Sequence, residues 1–101
     1  MIKHVVMWKL KDIAEGAGKR ENAIKMKAQL EGLKRKIPEI LNIDVGINTV
    51  ESVDACDIIL STEFGSAADL KTYQNHPDHL MVADFINKVR LERRAADYEI
   101  P

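Results

Sequence analysis

Three histidines, His4, His76 and His79, are the side chains whose ordinary pKa lies closest to neutrality, and Tyr73 stands three residues before His76. His4 belongs to a two-residue alternation in which Ile2, His4, Val6, Trp8 and Leu10 share one strand face. That face turns either toward covering helices or toward a seam with a second copy of the chain. In the first case His4, Tyr73 and His79 converge between sheet and helices. Such a set supplies a general base near neutral pH and a phenol that donates to a developing enolate or oxyanion. The plainer alternative is that each ring packs in the core with its polar tip bonded to backbone.

His76 and His79, three residues apart with Asp78 between them, also have the spacing of half a metal site. The only further histidine is His4, and Pro77 assigns His76 to a helix boundary instead, so no metal is expected. Cys56 lacks a neighbour at CxxC or CxxxH spacing and is read as a buried thiol. There is no nucleophile elbow, Gly-rich phosphate loop or glycosidase-type carboxylate pair. Covalent catalysis and nucleotide chemistry are therefore unsupported, and no cofactor is expected.

The elements that must position these residues follow from periodicity. Ile2 to Leu10 reads as a strand with two partly apolar faces. After a Gly-containing polar stretch, Ala23, Met26, Leu30, Leu33 and Ile37 recur at helical spacing, giving a helix of about 18 residues ended by Pro38. Its Lys- and Arg-rich outer side reads as a solvated face. Leu41 to Ile47 alternates as a half-buried strand, and Glu51 to Ala55 forms a loop before a third strand, Cys56 to Phe64. Ser66, three residues before Asp69, opens a short helix holding Leu70 and Tyr73. Leu80 to Arg90 reads as a further helix, with Met81, Phe85 and Val89 along one face and Val82 and Ile86 beside it. Ala96 to Ile100 reads as a terminal strand, with Asp97 and Tyr98 at the sheet edge.

The order β, α, β, β, α in two pieces, β is the ferredoxin-like α+β arrangement, a four-stranded antiparallel sheet with helices on one face. The opposite face carries Val5 and Met7 and is apolar enough to want a partner, so a homodimer through stacked sheet faces is expected. With 101 residues the chain makes one domain, residues 1–101. Fifteen Lys and Arg against sixteen Asp and Glu leave a net charge of −1, which excludes a global basic field for nucleic acid or anionic membrane. The single cysteine fits a reducing, cytoplasmic setting, and no apolar run approaches the ~18 residues of a membrane span.

The opening Ile2-Lys3-His4-Val5-Val6-Met7-Trp8, the Ile37-Pro38 helix end, Val45-Gly46, the string Tyr73-Gln74-Asn75-His76-Pro77-Asp78-His79 and the closing Asp97-Tyr98 resemble the stress-responsive dimeric α/β-barrel (Dabb) family nearly end to end. The resemblance implies a ferredoxin-like protomer whose sheet faces that of a second copy, closing a dimeric barrel. Function in the family is less uniform than fold: plant members include stress-induced proteins, and the plant cyclase that makes olivetolic acid closes a linear tetraketide thioester by aldol condensation. The residues that matter in that cyclase fall on His4, Tyr73 and His79. The resemblance thus implies a homodimer with a pocket for a small hydrophobic or aromatic ligand. The alternative is a polyketide cyclase-like or lyase-like enzyme with His79 as general base, Tyr73 orienting or donating, and His4 holding a substrate oxygen. A purely structural stress protein and a cofactor-free monooxygenase of the related dimeric barrel type are the remaining readings.

Overall fold

Alternation along the first strand decides how the layers stack. In the computed structural model, which describes residues 1–101, β1 (Ile2–Leu10) buries His4, Val6, Trp8 and Leu10 on one side and turns Lys3, Val5, Met7 and Lys9 to the other. The remaining elements in chain order are β2 (Ile13–Ala14), β3 (Ala17–Gly18), α1 (Lys19–Gly32), β4 (Asn42–Ile47), β5 (Ile58–Phe64), α2 (Ala67–Asn75), α3 (Pro77–Val89) and β6 (Arg90–Glu99). The main sheet is antiparallel throughout in the order β4-β5-β1-β6, with the helices on the His4 face. This is the ferredoxin-like α+β fold.

Several expected boundaries move, each for a local reason. β2 and β3 form a small hairpin where a polar stretch was expected. Glu15 and Gly16 both take positive φ (50° and 74°), as a two-residue turn matched to strand twist requires. Asn22 of α1 donates to the carbonyls of Ala14 and Ala17 (3.0 and 3.4 Å), fixing this hairpin to the helix. α1 has 14 residues rather than about 18, because the chain tightens into a 3₁₀ turn over Leu33–Arg35 before Pro38. The expected stripe still holds, since Ala23, Met26, Leu30, Leu33 and Ile37 are all buried.

In α3 the buried face is Val82, Ile86 and Val89, whereas Met81 is 73% exposed, a correction to the expected stripe. One residue of offset turns a side chain by about 100° around a helix, enough to move Met81 from core to solvent. Phe85 stays half-buried beneath the Lys25 ammonium, 4.6 Å from its ring. The third strand begins at Ile58 rather than Cys56, and Cys56 is half-buried rather than buried. β6 begins at Arg90, six residues before the expected Ala96, and runs along β1 although nearly all of its residues are exposed.

Ser66 caps α2 as its spacing suggests, its Oγ accepting from the Asp69 amide at 3.1 Å. Ser66→Ala is expected to destabilise the protein by about 1 kcal/mol, the usual cost of losing such a cap, while Ser66→Asn stays near wild type. Urea unfolding of the two variants measures the difference.

Candidate active site between sheet and helices

Four elements bring the candidate residues together. β1 supplies His4 and Trp8, four residues apart on its buried face. The register of β6 sets Asp97 directly across from His4 and Arg93 directly across from Trp8. Tyr73 projects from the last turn of α2, and His79 stands in the first turn of α3. His76 joins the two helices. Its amide donates to the Tyr73 carbonyl at 3.2 Å to close α2, and its Nδ1 accepts from the Asp78 amide at 3.1 Å to open α3. Pro77 fits that first helical position, where no amide hydrogen is needed.

These residues surround a cavity of about 190 Å³. Its walls are apolar, from Val6, Leu30, Leu60, Val82 and Ile86, and its polar groups come from His4, Trp8, Tyr73, His79, Asn87 and Arg93. All three residues singled out in the sequence, His4, Tyr73 and His79, line this one space. The Tyr73 ring lies 4.5 Å from that of His79 and 6.2 Å from that of His4, centroid to centroid, and packs at 5.0 Å on Phe64. The open question of which way the His4 face turns resolves toward the helices. His76 does not line the cavity.

The hydrogen bonds assign each ring its role. His79 Nδ1 lies 3.1 Å from the Gln74 carbonyl, which can only accept, so Nδ1 carries the proton and Nε2 presents its lone pair. Burial holds the His79 pKa below the usual 6.5, against the opposing pull of that carbonyl, and the charges of His4, Arg93 and His76 lower it further. His79 is therefore neutral at physiological pH and available as a base. His4 Nδ1 bonds the Asp97 carboxylate, which fixes the His4 ring and directs its Nε2 away from that bond. Asp97 thus holds the His4 ring from β6, an edge strand of the sheet.

Tyr73 is fully buried, yet its hydroxyl has no hydrogen-bond partner in the protein, and the same holds for the indole N–H of Trp8. Burial drives the Tyr73 pKa well above its ordinary value of 10.0, although the Arg93 charge pulls it back slightly, so the phenol stays protonated and able to donate. Buried polar groups are nearly always paired, and two orphaned donors on one cavity are free to bond an acceptor from outside the protein.

Sequence reasoning missed the roles of Trp8, Asp97, Arg93 and Asn87. Trp8 was within reach, being four residues from His4 on an alternating strand. The β6 residues gave no local signal, because their place depends on a strand pairing across most of the chain.

Comparison with known proteins agrees with this architecture. The sequence profile of the stress-responsive A/B barrel domain (Dabb) matches residues 2–100. A dimeric protein of unknown function with a ferredoxin-like fold from Bacteroides fragilis superposes with a TM-score of 0.83 at 29% identity, over 98% of this chain and 95% of that one. A Dabb family protein from Mesorhizobium loti superposes with a TM-score of 0.76 at 22% identity, over 99% and 95% of the two chains. The hydroxynitrile lyase of Passiflora edulis shares the fold, with a TM-score of 0.82 at 17% identity over 99% and 93%. No curated protein sequence matches the chain. No helix is long and apolar enough to cross a membrane.

Proposed function

Since this chain belongs to the stress-responsive A/B barrel domain family, we propose that it is a homodimer in which each protomer binds one small carbonyl compound between sheet and helices and moves a proton on it. The observation that carries this reading is the buried, unpartnered Tyr73 hydroxyl on a ring 4.5 Å from that of His79, whose Nδ1 is engaged and whose Nε2 is free. In the proposed step His79 Nε2 takes a proton from the carbon next to the carbonyl. The C–H electron pair moves into the new C=C bond, and the carbonyl π pair moves onto oxygen, giving an enolate. Tyr73 and Trp8 donate to that oxygen, and the His4 ring, held by Asp97, supports it from β1.

Cavity size favours a small substrate among the readings implied by the family resemblance. An engineered cavity of about 150 Å³ accommodates benzene, and about 190 Å³ holds one ring with a few further atoms. Cyclase-like carbon–carbon bond formation and lyase-like cleavage both use such a base and oxyanion donor, on a substrate of this smaller size. The test is exchange of the α-protons of phenylacetaldehyde in D₂O, followed by proton NMR. The expected result is exchange faster than in buffer, in proportion to protein concentration. Binding without any acceleration leaves a carrier and overturns the proton-transfer role.

The dimer reading rests on the sheet face away from the helices. There the register aligns Met7 with Ile59 and Arg94, and Val5 with Ser61 and Ala96, an apolar centre with Lys9, Glu92 and Glu63 around it. Solved neighbours of this fold are described as dimeric. Placing a charge at that centre disfavours stacking of two sheets. Ile59→Glu is expected to convert a dimer into a folded monomer, seen as a halved mass in sedimentation with unchanged far-UV circular dichroism. A wild-type protein that sediments as a monomer removes this part of the reading.

A further inference from the structure

Trp8, Tyr73 and Arg93 give the cavity three donor groups, while His79 Nε2 gives it an acceptor. Trp8 Nε1 donates only, and the protonated Tyr73 hydroxyl is free to donate. Arg93 contributes a permanent cation. No Asp or Glu lines the cavity, and the one carboxylate nearby, Asp97, is engaged by His4. The Arg93 side chain makes no ion pair with any carboxylate of the protein. Its position is set by the sheet: directly across from Trp8, where side chains of an antiparallel pair stand about 5 Å apart at Cβ.

We infer that the ligand of this cavity is a carbonyl compound of about one ring in size that also carries one carboxylate, the carboxylate held by Arg93 beside the Trp8 indole N–H and the Tyr73 hydroxyl that receive the carbonyl oxygen, and its apolar body lying against Val6, Leu60 and Ile86. The inference rests on the reading of the cavity as a ligand site and adds the charge of what it takes. Three features agree with it. A guanidinium presents planar paired donors that match a carboxylate. Two buried N–H and O–H groups lack acceptors, which the carbonyl oxygen supplies, and the Arg93 guanidinium beside them lacks an anion. The walls formed by Val6, Leu60 and Ile86 are apolar and suit the hydrocarbon body of such a ligand.

Benzoate and benzamide separate charge from shape, because they share size and ring and differ in the anionic group. Binding is followed by perturbation of the His79 ring resonances, which places the probe in the cavity. The expected result is benzoate bound at least about tenfold more tightly than benzamide, with the preference lost in Arg93→Gln and partly kept in Arg93→Lys. Added salt is expected to weaken benzoate and leave benzamide unchanged, since the guanidinium is solvent-accessible. Equal binding of the two probes to the wild type overturns the carboxylate assignment and leaves the cavity as a ligand site. A preference that survives in Arg93→Gln overturns the role of Arg93. If neither probe moves the His79 resonances, the carboxylate assignment fails together with the single-ring reading of the cavity.

Discussion

Tyr73→Phe is expected to raise the melting temperature while removing catalysed proton exchange. The hydroxyl is buried without a partner, so its removal breaks no bond within the protein and relieves a desolvation cost of about 1–3 kcal/mol. For a domain of this size each 1 kcal/mol corresponds to roughly 4–8 °C. The ring keeps its packing on Phe64 and His79, so no cavity opens to offset the gain. The rate moves the other way, because loss of one oxyanion donor typically costs about 10²–10³-fold. A tyrosine serving only the core leaves the exchange rate unchanged. Scanning calorimetry and α-proton exchange on the same sample decide it, and a lowered melting temperature or an unchanged rate sinks the assignment.

His79→Gln is expected to lower the exchange rate by about 10²–10⁴-fold, the usual range for a positioned base. It is also expected to alter how stability depends on pH. In the unfolded chain His79 takes up a proton near pH 6.5. In the native protein burial delays that uptake to lower pH. Above about 6.5 both states are neutral at this residue and it contributes no slope. As pH falls from there toward the native pKa, the unfolded state binds more protons, so stability declines, and below the native pKa the contribution is constant. The wild-type rate, following the native pKa, should persist below pH 6.5 before it falls. Urea midpoints across this interval should decline less steeply for His79→Gln than for the wild type. Parallel midpoint profiles for the two proteins would show that His79 titrates as it does in the unfolded chain.

Much of the site could be read before the fold was known, because the residues carrying it lie in locally periodic segments. The alternation of β1 places His4 with Val6 and Trp8, and the Tyr73 to His79 string crosses a helix boundary announced by Pro77. Only the direction of the β1 face was undetermined, since both faces of that strand carry apolar residues. What stayed hidden is non-local. Asp97 meets His4 across 93 positions, and only strand register reveals the pair. β6 was read too short because its charged, exposed residues give no hydrophobic period; hydrogen bonds to β1 define the strand. Met81 misled for the opposite reason, being apolar yet turned outward at 73% exposure.

His76 deserves weight in any redesign of the site, because one residue closes the helix bearing Tyr73 and opens the helix bearing His79. The angle between the proposed donor, Tyr73, and the proposed base, His79, therefore depends on a side chain that does not line the cavity.

The placement of β6 has a consequence for biosynthesis. A nascent chain presents β1 first and β6 only after every other element has emerged, yet β6 supplies both Asp97 and Arg93. Until it docks, β1 has one neighbour in the sheet, His4 lacks its orienting carboxylate and Trp8 lacks its cationic neighbour. Pairing at such sequence separation is also the slow kind of contact to form. A nascent chain that has not yet released β6 therefore carries an unfinished pocket.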